Sequence, residues 1–531
     1  MLEPEPNSPA GFQRARSMLT QSILSATHWV DSHSLLSLAA LLLIFILSDL
    51  GNSLATPMGH DELFTFYIAQ AKSLHELFTQ ISVIDLNPPL SYLLTRASFH
   101  FFGVGTLQCR LPEMAGFALA LTGIFFFVRR RAGPSFGLLA AAFLFASRAG
   151  DLNILARPYG LMLGFTALAL VAWQQSSESN ATWSTVAANF LLGFAIVALF
   201  LSHVFGLMAW AAILCGEVAQ IARQRRVHVA RALALLLPLA AVVAYRPLIQ
   251  NHGLSLFPVA FQPGGEDIFN FYMQHIDREL ITLWLTALLV VLIAGRTWLR
   301  GSLRFALTEP EWVAIIAFMV APLALILHLM LAHGAFFDRY AVIACIGTAI
   351  FFAVFLAWWC SSRSSVAIIA AILALTISSR TVVAIVSIPQ VFRHTEPTAV
   401  PSHLDALPDA TLPLVDASGL TFVEMQRREP SALLDHTFYI TGGPFAIQYA
   451  HATIFEGMQW ERDNFHFASH VDSYTPFVLK HPHFYVFGTF DYPEDWLLRK
   501  LMADGARIDR IRTLDTSYKD HELYEVTITP K

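Results

Sequence analysis

The chain has 531 residues, of which 55% are hydrophobic and 14% charged, with a mean hydropathy of +0.53. A soluble globular chain carries roughly 25% charged residues; the deficit here, with apolar runs of bilayer length recurring along the chain, excludes a soluble enzyme and predicts a polytopic α-helical membrane protein. A net charge of −5 offers no basic excess for nucleic acid, and Cys109, Cys215, Cys345 and Cys360 show neither a disulfide framework nor metal-type spacing.

Positions 1–33 read as a cytoplasmic tail, and the apolar run at 34–50 starts too late for a cleavable signal. Further spans are expected near 113–128, 136–147, 159–173, 186–201, 204–221, 232–245, 280–294, 312–331, 340–359 and 365–388. Arginines cluster on alternate loops: Arg14 and Arg16, then Arg129 to Arg131, then Arg223, Arg225, Arg226 and Arg231, then Arg296, Arg300 and Arg304, and last Arg363. By the positive-inside rule this predicts about 11 spans, a cytoplasmic N-terminus and an external C-terminus. The sequon Asn180-Ala181-Thr182 then falls on the cytoplasmic side, where it is a chance match.

The first external loop, 51–112, opens with "TPMGHDELFTFYIAQA". Phe64, Tyr67, Ile68, Ala71, Leu74, Phe78 and Ile81 recur at helical spacing, which predicts one amphipathic helix lying in the outer interface. Asp61 stands at its start, where a helix N-cap and a catalytic carboxylate are both open readings. Pro88-Pro89 in "IDLNPPLSYLLTR" breaks the helix, extends Asn87 and aims Asp85 and Asn87 away from the bilayer. Arg148, Asp151 and Arg157 precede the fourth span, His203 stands between the fifth and sixth, and "HGAFFDRY" sets His333, Asp338, Arg339 and Tyr340 at the end of the ninth. These polar clusters converge on the external face, while the spans look nearly free of charge and the cytoplasmic arginines serve topology alone. Ionisable groups at membrane depth are costly, so the one-sided concentration points to an external active site.

From about 389 the composition changes. Pro397, Pro401, Pro408 and Pro413 mark a linker, after which "LPLVDAS", "TFYIT", "FYVFGTF" and "LYEVTIT" read as strands and "PEDWLLRKLMADGA" as a helix. A small α/β extracytoplasmic domain over 389–531 is expected, beside a transmembrane domain over 34–388.

"GHDELFTFYIA", "DLNPPLSYLL", "CRLPEMAGF", "ARPYGLML" and "FFDRYAV" stand in an order and spacing that resembles the GT-C glycosyltransferases, over roughly residues 30–360. The chain is most similar to the group of protein O-mannosyltransferases and lipid A aminoarabinose transferases. Two positions depart from the pattern: Asn87 stands where members have His or Lys, and Leu86 where the lipid A enzymes have an acid, so their metal site is not carried over.

The resemblance implies an inverting transfer of a sugar from a polyprenyl-phosphate donor to a protein, lipid or glycan acceptor at the outer face of the membrane. A carboxylate base and cations for the phosphate are what such a transfer needs. Asp61 matches the family's catalytic aspartate; Glu62, the second acid of the pair, points about 100° away on a helix and is expected to orient loops or hold acceptor. Arg339 is the expected phosphate ligand, with Arg157 second, because guanidinium binds phosphate through paired hydrogen bonds. Tyr67, Tyr92, Tyr159, Tyr340, Asp85, Asn87 and His203 are further substrate-pocket candidates, each with an ordinary structural alternative as anchor, turn former or satisfied histidine. No cofactor is demanded, and a divalent metal ion is left open. The competing class is a membrane transporter or flippase, which would place ionisable groups at mid-membrane in two related halves.

Overall fold

The computed structural model describes residues 28–85, 87–178, 182–250, 261–274, 307–359, 377–378, 381–386, 407–492, 495–513 and 521–528. The expected spans at 280–294 and 365–388, the sequon, Leu86 and the linker prolines Pro397 and Pro401 lie outside these residues, wholly or in part. Among the described residues, five helices are long and apolar enough to cross a membrane: Ser34–Ala55, Thr106–Ala132, Trp183–Ser202, Val229–Pro247 and Glu309–Ala332. The expected third and tenth spans are helices of 13 and 16 residues, Pro134–Ala146 and Ala344–Trp359. The fourth runs over Tyr159–Glu178 and the sixth over Gly206–Gln224.

Glycine spacing sets the central packing. The Thr106–Ala132 and Tyr159–Glu178 helices lie against each other along their length. Gly116, Gly160 and Gly164 form the contact: a Cβ on any of them would collide with backbone of the facing helix, Gly164 with the Gly116 carbonyl and Gly160 with that of Glu113. Gly160 and Gly164 are a small-xxx-small pair, the pattern that lets helix backbones approach in a lipid environment, where apolar burial alone gives no preference for protein over lipid. Gly164→Ala is therefore expected to lower stability by about 1–3 kcal/mol, read as a drop in the melting temperature of the detergent-solubilised protein; an unchanged melting temperature would show that the helices separate freely.

The loop helix expected over 61–81 is two helices, His60–Ala69 and Leu74–Ile84, with Ser73 capping the second through its side chain. The break falls at the polar Lys72-Ser73 step, where the Ser73 hydroxyl offers amides a partner outside the first helix. A third helix, Leu90–Phe102, follows the double proline.

The C-terminal region is a six-stranded sheet in the order β3-β2-β1-β4-β6-β5, with β1 Leu414–Asp416, β2 Thr437–Thr441, β3 His470–Ser473, β4 His483–Gly488, β5 Arg507–Thr513 and β6 Glu522–Thr527. β1 to β4 are parallel, and β6 pairs antiparallel with both β4 and β5. β3 and β5 escape the pattern reading because HVDS and RIDRIRT are edge strands whose polar residues hide the alternation. This sheet does not hang free. Phe422, Val423, Tyr439, Met458, Phe465 and Phe467 share one apolar cluster with Leu63, Phe66, Ile68, Leu77 and Ile81 of the loop helices.

Two sequence expectations are corrected at the opposite, arginine-rich end. Arg231 is buried and donates to Glu217 at 2.6 Å, and Arg131 holds Glu311 at 2.8 to 3.0 Å while Gln174 donates to the same carboxylate. These arginines tie helices together. The spans are not free of charge either, since Asp49, Glu113, Glu217 and Glu311 are all buried. Sequence alone hides the partners of two of them because those partners come from other helices, Arg231 for Glu217 and Arg131 for Glu311.

Candidate active site

The polar clusters from four stretches of sequence meet at one end of the helices. Asp61 lies in the first turn of the His60–Ala69 helix, whose cap is Gly59, so Asp61 is not the N-cap. Its carboxylate is free to face the site instead: Oδ2 lies 3.0 Å from Arg339 Nη2 and Oδ1 lies 3.3 Å from His60 Nε2, with the side chain 28% exposed. Arg157 reaches the same residue by donating from Nη1 to the Asp61 carbonyl at 3.2 Å. Burial would push the Asp61 carboxyl up, but the hydrogen bond from His60 and the charges of His60, Arg157 and Arg339 hold it well below the usual carboxylate range.

Glu62 behaves differently: of its two expected roles, orienting loops or holding acceptor, its contacts fit the first. It is buried, and Arg110, also buried, donates from Nε at 2.7 Å and Nη2 at 2.8 Å. The amides of Ala156 and Gly59 take up the remaining acceptor positions at 2.8 and 3.1 Å. Arg110 also donates to the carbonyls of Ser53 and Thr56, at 2.8 and 2.9 Å. Glu62 thus joins the loop helix, the Thr106–Ala132 helix and the segment before Arg157, and has no lone pair left for substrate. It positions Asp61 from the next residue.

Asp85 is buried and paired with Arg157, whose Nη2 donates at 3.2 Å. Asn87 turns its amide back onto Asp85 Oδ1 at 3.0 Å. Burial would raise the Asp85 carboxyl, but Arg157 outweighs it and holds it ionised. Asp85 and Asn87 therefore orient Arg157, and Tyr92 is buried beside them. Asp338 does not pair with the Arg339 side chain; it takes Arg148 at 3.1 Å and caps the Arg339 amide at 2.7 Å. This leaves the Arg339 guanidinium lying 4.6 Å over the Phe337 ring and aimed at Asp61.

Tyr159 and His203 stand with ring centroids 5.5 Å apart, and Phe205 joins His203 to Tyr340 at 5.4 and 4.6 Å. Burial first, and then the positive charge of Arg157, pushes the His203 imidazole down to about 3. A neutral ring fits its contact, Nδ1 accepting from the Phe205 amide at 3.0 Å, and makes His203 part of the aromatic wall. Tyr67 is not in this wall. It stacks on Phe465 at 5.0 Å, against the C-terminal domain, a place that loop periodicity alone cannot reveal.

Sequence reasoning misses His60, Arg110, Glu424 and Arg428. The His60 amide donates to Glu424 Oε1 at 3.0 Å, its Nδ1 lies 3.7 Å from the same oxygen, and Arg428 holds Glu424 Oε2 at 2.8 Å. His60 and Arg110 sit inside the motifs "GHDE" and "CRLPEM", so their neighbours offered a signal. Glu424 is 364 positions from His60 and carries no local signal. In the charge balance, His60, Arg157, Arg339 and Arg428 face Asp61, Asp85 and Glu424, which leaves one cation in excess when His60 is protonated. An anion-bearing substrate suits that balance. Among the described residues, no three His, Cys, Asp or Glu side chains come together in a metal-holding group.

Residues 86–245 match the family model described as dolichyl-phosphate-mannose-protein mannosyltransferase. In structure the chain is similar to ArnT from Cupriavidus metallidurans bound to undecaprenyl phosphate, with a TM-score of 0.52 and 13% identity over 95% of this chain and 100% of that one. The apo state of the same protein gives 0.53 and 13% over 96% and 100%. The apo oligosaccharyltransferase of Archaeoglobus fulgidus gives 0.48 and 13% over 92% and 75%. No curated protein matches the chain in sequence. The ArnT fold thus extends over nearly the whole chain, and the match to the mannosyltransferase family model covers residues 86–245.

Proposed function

We propose that this protein transfers a sugar from a polyprenyl-phosphate donor to an acceptor at the extracytoplasmic surface of a membrane, with Asp61 as the base and Arg339 and Arg157 as the cations for the donor phosphate. The observation that carries the reading is Asp61 held by two arginines where the loops converge, Arg339 on its part-exposed carboxylate and Arg157 on its carbonyl. The family model and the ArnT fold support the same chemistry, and the ArnT structure holds a polyprenyl phosphate.

The phosphate leaves as an anion, so the site must gather positive charge rather than supply a strong acid. Asp61 is a weak base while Arg339 is paired with it, because a guanidinium at 3.0 Å stabilises the carboxylate. A donor phosphate competes for Arg339; as the arginine turns to the phosphate, the Asp61 oxygen is released to take the acceptor proton. The acceptor oxygen then attacks the anomeric carbon from the face opposite the phosphate, and a single displacement inverts that centre. Eleven spans, a cytoplasmic N-terminus and a 389–531 domain outside the membrane complete the reading, by the positive-inside rule, and the short cytoplasmic tail with an appended α/β domain points to a bacterial inner membrane.

The test is release of polyprenyl phosphate by the full-length protein in lipid nanodiscs, given a panel of polyprenyl-phosphate sugars and a membrane or periplasmic acceptor extract. One donor is expected to be consumed. Arg339→Met is expected to raise the KM for that donor by about ten-fold or more, since a charge-assisted hydrogen bond contributes about 1.5–3 kcal/mol. Consumption of no donor by folded protein would overturn the reading in favour of transport.

A further inference from the structure

We propose that the C-terminal domain completes the reaction site, with Glu424 as a positioning residue that holds His60 against Asp61. The inference rests on the glycosyltransferase reading and gives the appended domain a part in it.

Glu424 lies on the Gly419–Arg428 helix, which follows β1 and packs on the His60–Ala69 helix. Its placement is over-determined. Phe422 and Val423, the two residues before it, are fully buried in the shared apolar cluster. Arg428 grips Oε2 and also donates to the Met58 carbonyl at 3.0 Å, so the same arginine anchors the helix to the loop just ahead of His60. Arg427 lies 4.2 Å over the Phe66 ring, further along the loop helix. The domain therefore grips the short segment that carries Asp61 on both sides of that residue.

Within that grip Glu424 makes two contacts with one residue. Oε1 accepts from the His60 amide at 3.0 Å, which fixes the first turn of the helix, and faces His60 Nδ1 at 3.7 Å. The other ring nitrogen faces Asp61 Oδ1 at 3.3 Å. A carboxylate on each side of one imidazole favours its protonated form: burial pulls His60 down, but Asp61 and Glu424 outweigh it and raise the group to about 9. The imidazolium then occupies Oδ1 and leaves Oδ2, the oxygen shared with Arg339, to meet the acceptor. Loss of the Glu424 charge would free the ring and let the Asp61 carboxylate rotate, and close placement of a base governs rate.

Glu424→Gln separates this role from a structural one, because the amide oxygen still accepts from the His60 N–H while the charge is gone. In nanodiscs, with the donor identified in the release assay, kcat is expected to fall about 10- to 100-fold with donor KM unchanged. The alkaline limb of the kcat profile should move to lower pH, and Glu424→Asp should recover part of kcat. Independently of turnover, the His60 imidazole is followed by NMR of histidine-labelled full-length protein and assigned with His60→Asn; its pKa should fall by roughly one pH unit or more in Glu424→Gln, as expected when an opposite charge is removed. An unmoved His60 titration, or a wild-type kcat and pH profile, overturns the proposal. A shifted titration in a protein that consumes no donor would leave the contact real and overturn the glycosyltransferase reading, and with it the role of Glu424 in a reaction.

Discussion

Asp61→Asn is expected to abolish donor cleavage, with a fall of about 10²–10⁴-fold, the usual contribution of a positioned general base, in a protein that folds and still binds polyprenyl phosphate. The asparagine keeps the shape and retains an oxygen for His60 or Arg339, so the fold has no reason to change. Donor binding should tighten, since the ion pair that competes with the phosphate for Arg339 is removed. The check is the nanodisc assay for released polyprenyl phosphate, run beside equilibrium binding of polyprenyl phosphate to the same sample. Turnover within a few-fold of wild type would reduce Asp61 to an anchor for Arg339 and send the search for the base elsewhere.

Arg110→Met is expected to act through folding instead. Arg110 and Glu62 are 0% and 2% exposed and joined at 2.7 Å, and removing one member of a buried pair typically costs about 3–5 kcal/mol because the other charge is left uncompensated. Thermal unfolding of the solubilised protein should show a large drop, or the variant should fail to accumulate. The double change Arg110→Met with Glu62→Gln should recover part of the loss, because no charge is then stranded. If Arg110→Met were as stable as wild type yet inactive, the pair would belong to the chemistry rather than to the scaffold. The two experiments together separate adjacent acids that look alike in sequence, Asp61 being expected to set rate and Glu62 to set shape.

Much of the site is legible in the order of residues alone. The apolar runs beside Asp61, Arg157 and Arg339 place each near the end of a helix, and the fold brings all three within one hydrogen-bonded group. Their partners are not legible. The pairings that a sequence offers are local, such as Asp338 beside Arg339 or an Asp61 N-cap, because neighbouring residues are what a sequence displays. The observed pairs are Asp338 with Arg148, Asp61 with Arg339, Glu62 with Arg110 and Asp85 with Arg157. A buried charge must find its counter-charge wherever packing brings one, and the loop between the first two long helices is folded onto partners from distant segments.

What the sequence determined by itself is the membrane class, the order of the apolar helices, the side on which the polar residues gather and the presence of an appended sheet. Those properties follow from composition and period, which act residue by residue through transfer into lipid and through hydrogen bonding along the chain. The tertiary structure alone decided which acid faces the site and which is sealed beneath it, where the glycine contact joins the two central helices, and that Glu424 arrives beside His60 from the far end of the chain. Those are properties of contacts between distant residues, and a contact across 364 positions leaves no periodicity in the sequence to read.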